Sequence, residues 1–395
     1  MIGMFARLLS KPIKIGQSFF LFGPRGTGKS TWLSAVFPDA ETVRIDLLKD
    51  DLYTDLLARP QRIESLVPSG FSGWVVIDEV QRVPALLNEV HRLIETRKLR
   101  FAMTGSSMRK LRRGGVNLLA GRALTYHMHP LLAAEMQDAF SMDRAVRFGQ
   151  LPFTVSAPDP AAYLRAYVTA YLREEVLQEG LVRNLGNFSR FLETASFSQG
   201  SLLNLSTVAR EAALNRNVVE NYFSILEDLL IAFRLPPFTR KAKRRLTAHP
   251  KFYFFDSGVY RAIRPSGPLD TPEEAEGIAL ETVCLQELRG VNDALGLGYD
   301  LFYWRTSDGP EVDFVLYGSR GLVAVEVKRC KHPVRRDLSG LRSFRKEYPM
   351  AVCHLVCGST QQAYEDGVHL WPAAEFFSRL PEILTWPDSS ESVRG

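Results

Sequence analysis

The chain has 395 residues, of which 46% are apolar, 11% aromatic and 24% charged, a composition expected of a globular protein with two or three domains. Its net charge of +5 is unevenly placed, and four scattered cysteines (Cys284, Cys330, Cys353, Cys357) make no disulfide framework, which points to a reducing, cytoplasmic compartment. No apolar run approaches the roughly 20 residues that span a bilayer, and residues 1–16 lack a small-residue cleavage site, so neither a membrane span nor a signal peptide is expected.

From residue 1 to 130, apolar runs alternate with helical patterns, as in a parallel α/β sheet. Strands are predicted over 19–22, 43–46, 74–77, 100–104 and 124–128; the first and third are continuous apolar runs, the mark of strands buried on both faces. Residues 131–200 turn helical and form a lid or linker. Within them, Tyr163, Leu164, Tyr167, Val168, Tyr171 and Leu172 recur three and four apart, which predicts an amphipathic helix over 161–177. Residues 201–260 hold two short helices and a β-rich tail. The last domain, 261–386, is predicted to have a helix over 274–289 and strands over 301–304, 311–317, 322–327 and 351–357, and residues 387–395 read as a disordered tail.

The first chemistry-bearing segment is Gly23, Pro24, Arg25, Gly26, Thr27, Gly28, Lys29 and Ser30, which matches G-x-x-x-x-G-K-[ST] in full, with Thr31 next to it. Glycines let successive N–H groups turn inward around phosphate, and the helix that follows presents its positive end. Lys29 is expected to reach the β- and γ-phosphates of ATP, and the Ser30 hydroxyl to bind Mg²⁺. A second apolar strand delivers Asp78 and Glu79, the first to hold Mg²⁺ through water and the second to act as general base. On the next strand, Thr104 or Ser106 is a candidate for contact with the γ-phosphate or its water. Among the arginines at 109, 112, 113 and 122, Arg122 is the preferred finger toward a neighbouring subunit, which implies a homo-oligomer.

Residues 206–229 read as two helices joined by a turn near Asn215, with Ser206 as the N-cap and Val208, Ala209, Ala212, Val218, Val219, Tyr222 and Leu226 as the shared core. Runs over 230–237 and 251–255 would make the wing of a winged helix. Glu220, Glu227 and Asp228 on the second helix suit a phosphate-lined groove poorly, so the basic stretch Arg240, Lys241, Lys243, Arg244 and Arg245 is the expected DNA contact.

Near the C-terminus, the period of two places Glu326 and Lys328 on one face of a strand, and Asp313 on the preceding strand can reach the same spot. Two carboxylates and a lysine make a site for Mg²⁺ or Mn²⁺ acting on a phosphodiester, with Glu281 as a third carboxylate from the helix upstream.

Together the motifs resemble a prokaryotic family of AAA-type ATPases with a C-terminal domain like a PD-(D/E)xK nuclease. The resemblance rests on residues 23–30, on Ile-Asp-Glu-Val-Gln (77–81), Thr-Gly-Ser-Ser (104–107), Leu-Ala-Gly-Arg (119–122) and Tyr-Trp-Arg-Thr (303–306), and on Glu-Val-Asp-Phe (311–314) and Val-Glu-Val-Lys (325–328). It implies a P-loop ATPase sheet, a winged-helix segment and a restriction-endonuclease-like α/β domain. In such nucleases a helix Glu, a strand Asp and Glu-x-Lys form the metal site, matching Glu281, Asp313, Glu326 and Lys328; Glu311-Val312 stands where the family usually has Pro. The expected function is an ATP-dependent DNA-processing enzyme. The alternatives are an ATP-gated switch, or a DNA motor, whose nuclease-like domain binds without cutting.

Overall fold

The computed structural model describes residues 5–107, 111, 119–172, 176, 177, 182, 184–239, 249–265, 267, 271–307 and 309–385. They form two compact units, one of Arg7–Pro130 with Asp228–Ile231, the other of Leu131–Glu227 and the described chain from Ala232 onward. Arginines 109, 112 and 113, the basic stretch Arg240, Lys241, Lys243, Arg244 and Arg245, and residues 387–395 lie outside the described residues.

The first unit is built on five parallel strands: β1 (Phe19–Phe22), β2 (Thr42–Asp46), β3 (Trp74–Asp78), β4 (Arg100–Gly105) and β5 (Leu124–His127). Their order is β2-β3-β4-β1-β5, so β4 stands between the strand before the glycine loop and the strand that ends in Asp78. Every residue of β1 is fully buried, as a central parallel strand covered on both faces requires. Phe20 and Phe22 point to the same face and stack with ring centroids 5.5 Å apart. They join Ile45, Val75, Ile77, Phe101 and Met103 in one core under the helix Leu86–Arg97.

In the second unit, helices at Leu185–Ser196, Leu205–Glu211 and Arg216–Asp228 precede an antiparallel pair, β6 (Ala232–Leu235) and β7 (Lys251–Phe254). The predicted helix over 161–177 is α-helical over Pro160–Ala166, continues as a π-helix over Tyr167–Leu172 and is α-helical again at the described residues Val176 and Leu177. The cap of the helix Leu205–Glu211 is Asn204 rather than Ser206: the Asn204 side-chain oxygen accepts from the N–H groups of Ser206 and Thr207, each at 3.1 Å. Asparagine in an extended backbone makes this bond as well as serine does.

A long helix, Pro272–Leu295, leads into a mixed sheet of β8 (Asp300–Arg305), β9 (Glu311–Gly318), β10 (Gly321–Lys328), β11 (Val352–Cys357), β12 (Ala363–Glu365) and β13 (Val368–Pro372). The order is β12-β13-β11-β10-β9-β8. β8, β9 and β10 form an antiparallel meander, and the helix Ser339–Glu347 carries the chain across to β11, which runs parallel to β10. The helix Ala373–Thr385 closes the unit.

Candidate functional site

Two clusters of side chains concentrate charge, one in each unit.

In the first unit, β1 ends at Phe22 and the chain turns sharply. Gly23 has no room for a side chain, since a Cβ there would stand 2.3 Å from the Met128 carbonyl oxygen. Gly26 and Gly28 take φ of 84° and 92°, the left-handed conformation that lets a loop fold its N–H groups inward. Gly28 is the N-cap of the helix Lys29–Val36. The Lys29 side chain is buried and donates to the loop carbonyls of Gly23 at 2.7 Å and Pro24 at 3.2 Å, while the Thr27 hydroxyl donates to Pro24 at 2.8 Å. Arg25, Ser30 and Thr31 stay exposed at the rim.

The carboxyl ends of β3 and β4 complete this cluster. Ser30 Oγ donates to Asp78 Oδ2 at 2.7 Å, and Thr104 Oγ1 hydrogen-bonds to the other Asp78 oxygen. Thr104 Oγ1 also accepts the N–H of Glu79 at 3.0 Å, so one hydroxyl orients both acidic residues. Glu79 has φ of 58°, uncommon for a residue with a side chain and typical of functional positions held by their surroundings. Its carboxylate is held by the Gln81 amide, which also donates to Ser106 Oγ at 2.9 Å; Ser106 Oγ lies 3.4 Å from Glu79 Oε2. The sequence motifs converge here, and Gln81, quoted within the motif of residues 77–81, is the member to which the sequence assigned no role. An alcohol and a carboxylate in mutual contact are the hard-oxygen donors that suit Mg²⁺, and the buried lysine on the inward-turned loop suits phosphate. Arg122 is ion-paired with Glu95 of its own chain.

The second cluster brings Glu281, Asp313, Glu326 and Lys328 together. Lys328 Nζ donates to Glu326 Oε1 at 2.6 Å, the Asp313 N–H to Glu326 Oε2 at 3.3 Å, and the Val327 N–H to Asp313 Oδ2 at 2.9 Å. Three further residues share the cluster that sequence reasoning did not place there. The nearly buried ammonium of Lys251, from β7, lies 2.5 Å from Glu311, 3.4 Å from Glu281 and 3.5 Å from Asp313. The Tyr253 hydroxyl bonds to Glu281, and Glu311 Oε2 pairs with Arg305 at 3.3 Å. Glu311 shares its face with Asp313 by the period of two, which was legible; Lys251 carried no signal beyond being a lone charge at the start of an apolar strand.

Burial pushes the Glu281 carboxyl up to about 7, with Lys251 pulling it down and Asp313 adding to the rise. Glu326 is likewise driven well up by burial and by Asp313. Burial opposes the charge on Lys251, but Glu281, Tyr253, Asp313 and Glu311 outweigh it and hold the ammonium firmly protonated. This arrangement suits a divalent ion poorly, because both oxygens of Asp313, Glu326 and Glu311 and one oxygen of Glu281 already face ammonium, guanidinium or N–H groups. Among the described residues, no group of three or more His, Cys, Asp or Glu is disposed to hold a metal ion.

Comparison with known proteins bears on both units. Residues 16–137 match a family model described as an AAA domain. Residues 141–270 and 276–376 each match a domain of unknown function, DUF8612 and DUF4143 respectively. Two uncharacterized proteins, from Mycobacterium bovis and Mycobacterium tuberculosis, are each 28% identical over 320 residues, covering 79% of this chain and 70% of theirs. A crystal structure of a Vibrio cholerae protein aligns over 93% of this chain and 97% of its own at 11% identity, with a TM-score of 0.24 that carries no statement about fold. The chain thus carries an AAA-type P-loop ATPase domain, with the nucleotide and Mg²⁺ that such a domain implies. Among the described residues, no helix is long and apolar enough to cross a membrane.

Proposed function

We propose that this protein is an ATP-hydrolysing switch. The observation that carries the reading is the acidic pair at the end of β3, with Asp78 bonded to Ser30 and Glu79 braced beside it. In this reading the N–H groups of residues 23–30 cradle the phosphates, and Lys29 leaves its loop carbonyls to meet the β- and γ-oxygens. Ser30 and Asp78 hold Mg²⁺, which when bound neutralises charge on the phosphates. Glu79 takes a proton from the attacking water, and Thr104 keeps Asp78 and Glu79 in register. A homo-oligomer in the cytoplasm, with Arg122 turned from Glu95 toward a neighbour's nucleotide, belongs to the same proposal.

The test is Glu79→Gln. The variant should bind ATP as the parent does while turnover falls by about 10²–10⁴-fold, the usual contribution of a general base. Unchanged turnover would remove Glu79 from its role.

For the second unit we favour a nuclease-like domain that binds a partner without cutting, because Lys251 is lodged among the carboxylates. The winged-helix segment, with Arg240, Lys241, Lys243, Arg244 and Arg245 as phosphate contacts, makes DNA the proposed partner. A second reading, cleavage of DNA phosphodiesters, is favoured by the juxtaposition of Asp313, Glu326 and Lys328. Plasmid, single-stranded and branched DNA, incubated with Mg²⁺ or Mn²⁺ and with or without ATP, separate the two. Cleavage that Lys328→Ala abolishes would establish the second reading, and none under any condition would leave the first.

A further inference from the structure

The carboxylates of the second unit need a cation. Glu281, Glu311, Asp313 and Glu326 converge from the helix Pro272–Leu295, β9 and β10, and none is more than partly exposed. Removing several carboxylates from water without a compensating charge is prohibitive, so some cation must stand among them whenever they are ionised. Lys328 pairs directly with Glu326 at 2.6 Å and feels Asp313 and Glu281 from farther off. The other three face Lys251, whose ammonium carries three N–H donors and meets three carboxylate oxygens: one of Glu311 at 2.5 Å, one of Glu281 at 3.4 Å and one of Asp313 at 3.5 Å.

The backbone of Lys251 is fixed rather than draped over a loop. It pairs with Leu235 of β6 on one side and bridges to Leu202 on the other. The flanking carbonyls of Pro250 and Phe252 accept N–H bonds from Leu203 and Gly200, both at 2.8 Å. The side chain therefore enters the cluster from a strand held on both edges. A Mg²⁺ or Mn²⁺ ion requires oxygens at about 2.0–2.2 Å, and here the ammonium already takes one oxygen each of Glu311, Glu281 and Asp313. The remaining oxygen of Asp313 takes the Val327 N–H, and Glu326 is used by Lys328 and by the Asp313 N–H.

We infer that Lys251 is the resident cation of this cluster and that its ammonium closes the nuclease-like site to divalent metal. The inference goes beyond the ATPase reading and does not depend on it. It also gives a physical reason why a domain holding the helix Glu, the strand Asp and the Glu-x-Lys pair would bind without cutting, the first of the two readings proposed above.

The test uses the full chain without nucleotide or DNA, with bound Mn²⁺ followed by the electron paramagnetic resonance of the free ion. The parent and Asp313→Asn should give superimposable titrations, showing no Mn²⁺ that depends on this cluster. Lys251→Met should gain one equivalent of bound Mn²⁺, and Lys251→Met/Asp313→Asn should lose it again. Mn²⁺ should also raise the Tm of Lys251→Met without raising that of the parent. Bound Mn²⁺ in the parent that Asp313→Asn removes would overturn the inference, as would a folded Lys251→Met that gains none. If Lys251→Met does not fold, the comparison of the parent with Asp313→Asn decides the matter alone.

Discussion

Glu79 is the residue whose position demands most from its neighbours. Its backbone sits in the left-handed region at φ of 58°, and its carboxylate is held chiefly by the amide of Gln81, with the Ser106 hydroxyl at 3.4 Å. Gln81 is itself 5% exposed and tied to Ser106 at 2.9 Å, so its rotamer is locked before nucleotide arrives. A hydrogen bond to a charged group contributes about 1.5–3 kcal/mol, which is roughly a 10–100-fold effect on a rate when the bond matters in the transition state. Gln81→Ala should therefore lower kcat for ATP hydrolysis by about that factor with little change in KM. Steady-state kinetics checks this; a variant that raises KM and leaves kcat intact would make Gln81 a nucleotide contact and not a positioning residue. At this scale the sequence was highly legible for the loop of residues 23–30 and for Asp78 and Glu79, because phosphate chemistry demands fixed residue types at fixed spacing. For Gln81 the motif marked the position but not the role, and the sequence was opaque for Tyr253 and Lys251, whose roles come from elements brought together by the fold.

Among the elements, the helix Arg216–Asp228 shows how packing and charge are divided. Its inner face places Phe223 edge-on to Phe191 at 4.8 Å and to Phe252 at 5.0 Å, joining the helix Leu185–Ser196 to β7. Its outer acids are not left to a phosphate groove: Glu220 and Glu227 both receive the guanidinium of Arg234 from β6, at 3.0 and 2.5 Å. Phe223 is 1% exposed, and truncating so enclosed a ring leaves a cavity, so Phe223→Ala should destabilise this unit by about 3–5 kcal/mol. Urea unfolding followed by circular dichroism measures the loss, and a change under about 1 kcal/mol would mean that the neighbouring rings collapse into the space. Helices of this kind were readable because the 3.6-residue period survives in the chain. The end of the second sheet was not. β12 is exposed at all three residues, β13 is a short edge-side run, and the helix Ala373–Thr385 carries Pro381, which reads locally as a helix breaker.

For the molecule as a whole, buried acids set how stability responds to pH. Glu287 lies at the centre of the second unit, where its Oε1 accepts from the Ala133 N–H at 2.8 Å and the Gln150 amide at 2.7 Å, while its Oε2 is buried with no partner among the described residues. Burial pushes its carboxyl up to about 8, with the Gln150 and Ala133 donors pulling the other way and Glu135 adding to the rise. Asp256, also fully buried, is pushed up to about 6 despite accepting N–H bonds from Gln150 and Val259. In the unfolded chain both acids lose their protons near their ordinary values of about 4. Below that pH the folded and unfolded states hold the same protons, and neither acid costs anything. As pH rises toward 8 the unfolded chain releases protons that the folded chain retains, so stability falls across this window and levels off above it. The slope is at most about 1.4 kcal/mol per pH unit for each group. Glu287→Gln replaces the protonated acid with a neutral side chain of the same shape, whose NH₂ can occupy the place of Oε2. It should match the parent near pH 4 and exceed it by up to about 5 kcal/mol at pH 8. Taking the difference between parent and variant at each pH removes the contributions of Glu281, Glu326 and Asp256, which both proteins share. Urea unfolding at pH 4.5, 6 and 8 reads it directly, and parallel pH profiles for the two proteins would show that Glu287 is ionised in the fold.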